Sequence, residues 1–287
     1  MVITKEELRE DIYLLFYADE DPDRDLALEI IKDIPDENGE NPSGRVVKIK
    51  DSGSTTSVYK ICIKNRKYFV KEFRASGLKR KIKNFMGKPR AIRSLKNGIQ
   101  LRNKGIPAIK PGMAVIDCST LNRNLLITEE IKGENLFQLL RNCEFNPSTR
   151  RQLLINLATI WRKLFQQNLL YRDPTLENFF LTPEESFRGE PPGIIIIDID
   201  HIYSLPIMPE FLKKDALSRF FASSLIYLEK AGVNFPSQQE LSQFYLQFFK
   251  GERSKRERRK FSRKVKKGTV NKLRKWNRMD LIKKRCL

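Results

Sequence analysis

Asp173 and Asn178 stand five positions apart in YRDPTLENFFL (Tyr171 to Leu181), and Asp198 follows the apolar run Ile194 to Ile197 in GIIIIDIDH (Gly193 to His201). An acid that accepts a hydroxyl proton, an amide oxygen for a metal a short loop later, and a second carboxylate at a strand end are the polar parts of phosphoryl transfer. Their spacing is that of a kinase catalytic loop and its metal-binding triplet. Lys71, inside FVKEF (Phe69 to Phe73), adds a cation upstream. Such chemistry asks little covalent work of a protein and mostly needs charge in the right place. On this reading Lys71 pairs with the α- and β-phosphate oxygens of ATP. Asp173 orients and deprotonates the acceptor hydroxyl, Asn178 and Asp198 bind Mg2+, and backbone groups of Glu129 to Ile131 receive the adenine. Taken singly, each residue has an ordinary explanation as an Asp-Pro turn, a core strand or a surface lysine. Their order along the chain favours the joint reading.

The elements around these residues are legible in outline. Arg45 to Lys50, Ser57 to Lys64 and Lys67 to Arg74 carry alternating or β-branched residues between turn signals, which predicts an antiparallel meander. Phe69, Lys71 and Phe73 share a face of its third strand. The turn from Lys50 to Lys60 lies where a phosphate-covering loop belongs, and Gly53 and Ser54 at its tip offer N–H and hydroxyl groups to phosphate in place of a G-x-G-x-x-G. Ala75 to Gly105 reads as mostly helical and basic. Gly112 to Asp117 and Leu125 to Glu130 read as strands, and Lys132-Gly133-Glu134 breaks the chain before a helix from Asn135 to Arg141. Pro147 opens a long helix to Gln167, with a stripe of Leu153, Leu154, Leu157, Ile160, Trp161 and Leu164. Helices are also expected over Pro209 to Lys230 and Ser237 to Phe249. Two short ones are expected near the start, Thr4 to Phe16 behind a Thr4-x-x-Glu7 capping box and Pro22 to Lys32.

Strands early and helices late, joined by that break, predict an α+β bilobal protein-kinase-like fold: a small antiparallel β-rich N-lobe and a helical C-lobe, with nucleotide in the cleft between. The expected boundaries are an acidic N-terminal extension at 1–44, the N-lobe at 45–130, the C-lobe at 131–250 and a basic tail at 251–287.

Net charge is +20 over 287 residues and is uneven. Met1 to Ser43 holds 14 acids against 4 Lys/Arg, whereas Gly251 to Leu287 holds 17 Lys/Arg against 3 acids. A segment of that density attracts polyanions, and an anionic membrane surface is the expected partner of the tail. The four cysteines, Cys62, Cys118, Cys143 and Cys286, lack metal-ligand spacing and suit reduced thiols in a cytosol. Neither a secretory signal nor a membrane-spanning run is present, so the expected location is cytoplasmic, peripheral on the inner face of the inner membrane.

FVKEF, KPRAIRSLKNGIQLRNKGIPAIKP (Lys88 to Pro111), LLITEEIKGENL (Leu125 to Leu136), YRDPTLENFFL and IIIIDIDHIY (Ile194 to Tyr203) together resemble the bacterial lipopolysaccharide kinase family, which includes the Kdo and heptose kinases of the lipopolysaccharide core. The likeness runs from about Arg45 to Lys250, and the A-x-R-S…G…L…GIP string is its most family-specific part. The resemblance implies a kinase-like fold, ATP and magnesium as cofactors, and a sugar hydroxyl of a membrane-anchored glycolipid as acceptor.

Several residues depart from the protein-kinase pattern. Tyr171 stands where His is usual, Thr175 where Lys is common, and Asp200 replaces the glycine of the metal-binding triplet, an Asp-x-Asp pattern that also resembles the lipopolysaccharide kinases. Ser94 occupies the place of the helix glutamate that holds the nucleotide lysine, so another acid, such as Asp198, has to steer Lys71. The short chain between Asp198 and the helix near Pro209 leaves no room for a peptide platform and favours a carbohydrate or small acceptor. His201, the sole histidine, reads as a structural or nearby polar residue. Three rival readings stay open: a pseudokinase or nucleotide-binding regulatory protein, a small-molecule kinase of the aminoglycoside or choline type, and a basic nucleic-acid-binding protein. The last is disfavoured as nucleic-acid partner, because no recognition motif is present and few aromatics beyond Phe261 and Trp276 interleave the basic tail.

Overall fold

The computed structural model describes residues 3–9, 11–17, 23–35, 45–52, 55–74, 89–117, 123–142, 146–182, 193–250 and 252–283. The chain divides into two compact units, Met1–Asn103 with Ile109–Ile131, and Lys104–Ala108 with Lys132–Leu287.

The first unit is built on seven antiparallel strands: β1 (Ile3–Arg9), β2 (Ile12–Tyr17), β3 (Val46–Asp51), β4 (Thr56–Ile63), β5 (Arg66–Arg74), β6 (Met113–Asp117) and β7 (Arg123–Glu129), in spatial order β1-β2-β6-β7-β5-β4-β3. Strand alternation sends successive side chains to opposite faces, and both faces are covered. Helix α1 (Arg24–Asp33) puts Leu26, Ala27 and Ile30 against Leu14, Val70 and Ile127. Helix α2 (Arg90–Asn103) puts Ala91, Leu95 and Ile99 against Phe73, Ala114 and Leu126 on the other face.

The helix expected over Thr4 to Phe16 is instead the hairpin β1–β2, turning at Asp11 with φ of 62°. The Thr4-x-x-Glu7 pattern is a local signal. It is overridden because β2, with Ile12, Tyr13 and Phe16 among its residues, finds a pairing partner in β6 and buries Leu14 and Leu15 on the two faces. Residues 3–9 and 12–17 of the acidic N-terminal part are thereby strands of the sheet. The helix expected over Pro22 to Lys32 is α1, Arg24–Asp33, which Asp23 caps through a hydrogen bond from Leu26 N; Pro22 lies outside the described residues.

The second unit is mainly helical: α3 (Leu136–Asn142), α4 (Pro147–Gln166), α5 (Glu210–Lys230), α6 (Gln238–Phe249), α7 (Lys255–Lys275) and α8 (Met279–Lys283). Short strands lie among them: β8 (Glu134–Asn135), β9 (Leu169–Tyr171), β10 (Phe179–Leu181), β11 (Ile194–Ile196) and β12 (Ile202–Ser204). Leu157, Ile160, Trp161 and Leu164 of the α4 stripe are buried, whereas Leu153 and Leu154 at its start are half-buried. Ser237 and Glu240 form the expected reciprocal cap of α6.

The basic tail is a docked helix. Ser254 and Glu257 cap α7 reciprocally, and Phe261, Val265, Thr269 and Leu273 bury one stripe of it. Helices α7 and α5 approach closely at Gly268, where the Ser218 hydroxyl donates to Lys214 O and Val265 O. Arg253–Glu210 and Lys272–Asp215 ion pairs flank the contact. A Cβ at Gly268 would lie 2.3 Å from Ser218 Oγ and 2.9 Å from Ser218 Cβ. Gly268→Ala should therefore force the helices apart and destabilise the protein by about 1–3 kcal/mol. Urea unfolding checks this, and unchanged stability would refute the close approach.

Candidate active site

An aromatic floor lies beneath the Asp173 loop. Trp161 of α4, Tyr171 of β9, Phe179 of β10 and Phe220 of α5 contact one another with ring centroids 5.5–6.3 Å apart. Such rings give the loop a stiff apolar base. Pro174 is buried against this base, and its carbonyl accepts from Ser223 Oγ of α5 at 2.8 Å.

On that base the backbone turns from Arg172 into a 3-10 turn at Leu176–Asn178. The turn is closed twice: Asn178 N donates to Thr175 O at 3.0 Å, and Asn178 Nδ2 donates to Asp173 O at 2.8 Å. The second bond engages the amide nitrogen and leaves the amide oxygen of Asn178 as an acceptor. Glu177 is tied to α5 through the Tyr227 hydroxyl at 3.0 Å. Burial first, then the Glu177 charge, push that tyrosine up to about 12.

Two strand registers complete the site. β10 and β11 pair as Phe179↔Ile196, and Ile197 N donates to Asn178 O at 3.0 Å, so Asp198 emerges beside the 3-10 turn. Ile196 N also donates to Pro107 O at 3.1 Å, which clamps the strand from its other side. β9 and β12 pair as Tyr171↔Ile202, and Arg172 N donates to His201 O at 3.0 Å, which puts His201 beside Asp173. One ligand atom each from Asp173, Asp198 and His201 lies within 4.8 Å of the others.

Tyr171, in the position where protein kinases carry His, is wholly buried. Its hydroxyl lies beside Asn178 without reaching hydrogen-bond geometry. Burial, and then the negative charge of Asp198, hold its pKa well above the ordinary tyrosine value. It is therefore a neutral wall of the site. Asp200 is also buried, at 1% exposure, with an oxygen 3.7 Å from His201 Nε2. The second acid of the Asp-x-Asp thus faces inward toward the histidine.

Lys71, Glu129 and Ile131 belong to the first unit. Lys71 sits mid-sheet between Val58 and Leu126, on the α2 face, with Nζ 5.4 Å from the centroid of Phe73. Its neighbour Glu72 turns to the opposite face, where it is buried and accepts from Arg74, Arg123 and the Tyr59 hydroxyl. Ser94 is fully buried and donates to Arg90 O at 2.9 Å, so its hydroxyl is satisfied within its own helix. In the 129–131 segment, Glu130 N is bonded to Lys67 O, and the Glu130 carboxylate pairs with Lys60. Gly53 and Ser54 lie outside the described residues. His201, which reads from the sequence as a structural or nearby polar residue, stands close to Asp173 and Asp198.

The profile of the lipopolysaccharide kinase (Kdo/WaaP) family matches residues 43–245, most of the chain. The protein belongs to this family. It is a kinase-family protein, and ATP use follows from that membership. Among solved structures, WaaP in complex with acyl carrier protein is similar with a TM-score of 0.53 and 17% identity, covering 77% of this chain and 88% of that one. At that identity the likeness speaks to fold alone, and it agrees with the kinase-like α+β architecture. No curated protein matches the sequence.

The donor set suits a divalent cation. The carboxylates of Asp198 and Asp173 and the amide oxygen of Asn178 are hard oxygen donors of the kind magnesium takes. The neutral wall is testable separately. Tyr171→Phe removes a buried hydroxyl that lacks a hydrogen-bond partner, so folding stability should stay level or rise by up to about 1 kcal/mol. A loss above about 2 kcal/mol in chemical unfolding would show that the hydroxyl is bonded.

Proposed function

We propose that this kinase moves the γ-phosphoryl group of ATP onto a hydroxyl of Kdo or heptose in the lipopolysaccharide inner core, or of a similar glycolipid. The observation that carries the reading is the convergence of Asp173, Asn178 and Asp198 on one loop and one strand end. Asp173 accepts the proton of the acceptor hydroxyl as its oxygen forms the new P–O bond and the bond to the departing ADP breaks. Asn178 and Asp198 hold magnesium. The ion, when bound, neutralises charge on the phosphate oxygens. Lys71 pairs with the α- and β-phosphates, Gly53 and Ser54 cover them, and backbone groups at Glu129 and Ile131 take the adenine. Ser94, being satisfied within α2, has no part in steering Lys71.

A carbohydrate acceptor is favoured by the chain after Asp198. Eleven residues separate it from the start of α5, and three of them form β12 against β9. That leaves no segment to lay out a peptide substrate. Radiolabelled ATP with purified core glycolipids, and with aminoglycosides and choline as competing acceptors, tests the class. Labelling of the small molecules alone overturns the glycolipid reading.

Asp173→Ala should lower turnover by about 10² to 10⁴-fold while nucleotide binding survives, the range for loss of a general base. Turnover within a few-fold of wild type removes Asp173 from that role. Asp198→Ala should instead weaken magnesium-dependent nucleotide binding, read by titration with and without magnesium. Equal affinities in variant and wild type would place the metal elsewhere.

The tail gives the membrane side of the proposal, a peripheral enzyme at the cytoplasmic face of the inner membrane. No described helix is long and apolar enough to cross a membrane. Opposite the buried stripe of α7, Arg256, Lys260, Arg263, Lys267 and Arg274 are exposed along one side of the helix. Near an anionic leaflet each contributes about 1 kcal/mol, screened by salt. Removing the tail would uncover the α6 rings of Tyr245, Phe248 and Phe249 that pack on Phe261 and the α5 surface against Val265 and Leu273. The better variant replaces Arg256, Lys260, Arg263 and Lys267 by Gln. Wild type should sediment with anionic vesicles at low salt and release at high salt, and the variant should stay in solution. Acyl carrier protein, the partner in the WaaP structure, forms the protein arm of the test. Loss of its binding with vesicle binding intact would move the tail's role to a protein partner.

A further inference from the structure

We infer that His201 is a ligand of the cation held by Asp198, making a mixed nitrogen–oxygen site that binds a first-row transition ion in preference to magnesium. The inference rests on the proposed metal role of Asp198. Three observations carry it. One ring nitrogen of His201 and one carboxylate oxygen each of Asp198 and Asp173 lie within 4.8 Å of one another. Opposite ligands on an ion with bonds of about 2.1 Å lie about 4.2 Å apart, so small side-chain rotations close the set. The His201 backbone is pinned, because its carbonyl accepts from Arg172 N and the next residue enters β12 against Tyr171. The imidazole is therefore delivered to the site by strand register.

The third observation is Asp200. Its carboxylate is buried and stands 3.7 Å from His201 Nε2. A carboxylate behind one ring nitrogen is the usual device that orients a metal-ligating imidazole and raises its basicity. Asp-x-Asp-His then has a division of labour: Asp198 and His201 bind the cation, and the Asp200 carboxylate places a negative charge 3.7 Å from the imidazole. Imidazole is a poor partner for magnesium, which strongly prefers oxygen. It suits manganese and the later transition ions, so the nitrogen donor shifts selectivity.

Manganese is the probe, with the full chain and no nucleotide present, so that no adenine nitrogen contributes. Wild type should bind Mn2+ saturably, and pulsed EPR should show modulation from a directly bound 14N. His201→Ala should lose the 14N signal, and its Mn2+ to Mg2+ affinity ratio should fall by at least about tenfold, with Mg2+ affinity little changed. Asp200→Asn should keep the fold and weaken the Mn2+ preference in the same direction. Absence of saturable Mn2+ binding, or of the 14N signal in wild type, overturns the inference. So does an equal affinity ratio in wild type and His201→Ala. Asp198→Ala separates the layers. If it abolishes Mn2+ binding while wild type shows no 14N signal, the histidine role alone fails; if Mn2+ binding survives it, the reading of Asp198 fails as well.

Discussion

The register of two three-residue strand pairs governs the polar chemistry of the second unit. Phe179↔Ile196 brings Asn178 and Asp198 together, and Tyr171↔Ile202 brings Asp173 and His201 together. Side chains alternate along a strand, so a slip of one residue in either pair would turn these groups toward the wrong face. Pairs this short are weak alone. They are held because Ile194, Ile195, Ile196, Phe179 and Tyr171 are buried and because Pro107 adds a bond to Ile196.

Apolar packing below the site and polar exposure above it depend on each other. Trp161, Tyr171, Phe179 and Phe220 resist movement of the loop, while Ser223 and Tyr227 reach from α5 to Pro174 and Glu177 and fix its course. Asp173 can then stay exposed on a loop whose carbonyls at Asp173, Pro174 and Thr175 accept hydrogen bonds. In the proposed role of Asp173, a loop held in this way would need little reorganisation as charge develops, which is the condition for electrostatic catalysis. Tyr171 fits this scheme as a large neutral filler. A histidine there would bring an ionisable group into the floor.

The tail follows a similar logic of two faces. Its apolar stripe and Gly268 dock it against α5, and this docking holds a row of cations in fixed array toward solvent. A free polybasic chain of the same composition would lose entropy on meeting an anionic surface. A docked helix has already met that ordering cost through Phe261, Val265 and Leu273.

From the sequence alone came the α+β class, the β3–β4–β5 meander at one edge of the first unit's sheet, the long α4 and the α6 cap, because periodicity and capping are local signals. The closeness of Asp173, Asn178 and Asp198 could be expected for a similar reason: the spacing that resembles a kinase catalytic loop is short in sequence. The hairpin β1–β2 was not legible. Its capping-box letters favour a helix, and only pairing with β6, some hundred residues away, decides otherwise. The tail read as charge, and its docking on α5 depends on a glycine meeting a serine fifty positions earlier. His201 was visible as a letter, but its place beside Asp173 and Asp198 required the β9–β12 register. Side-chain chemistry and short spacings are written along the chain, whereas juxtapositions made by long-range strand and helix contacts exist only once the chain has folded.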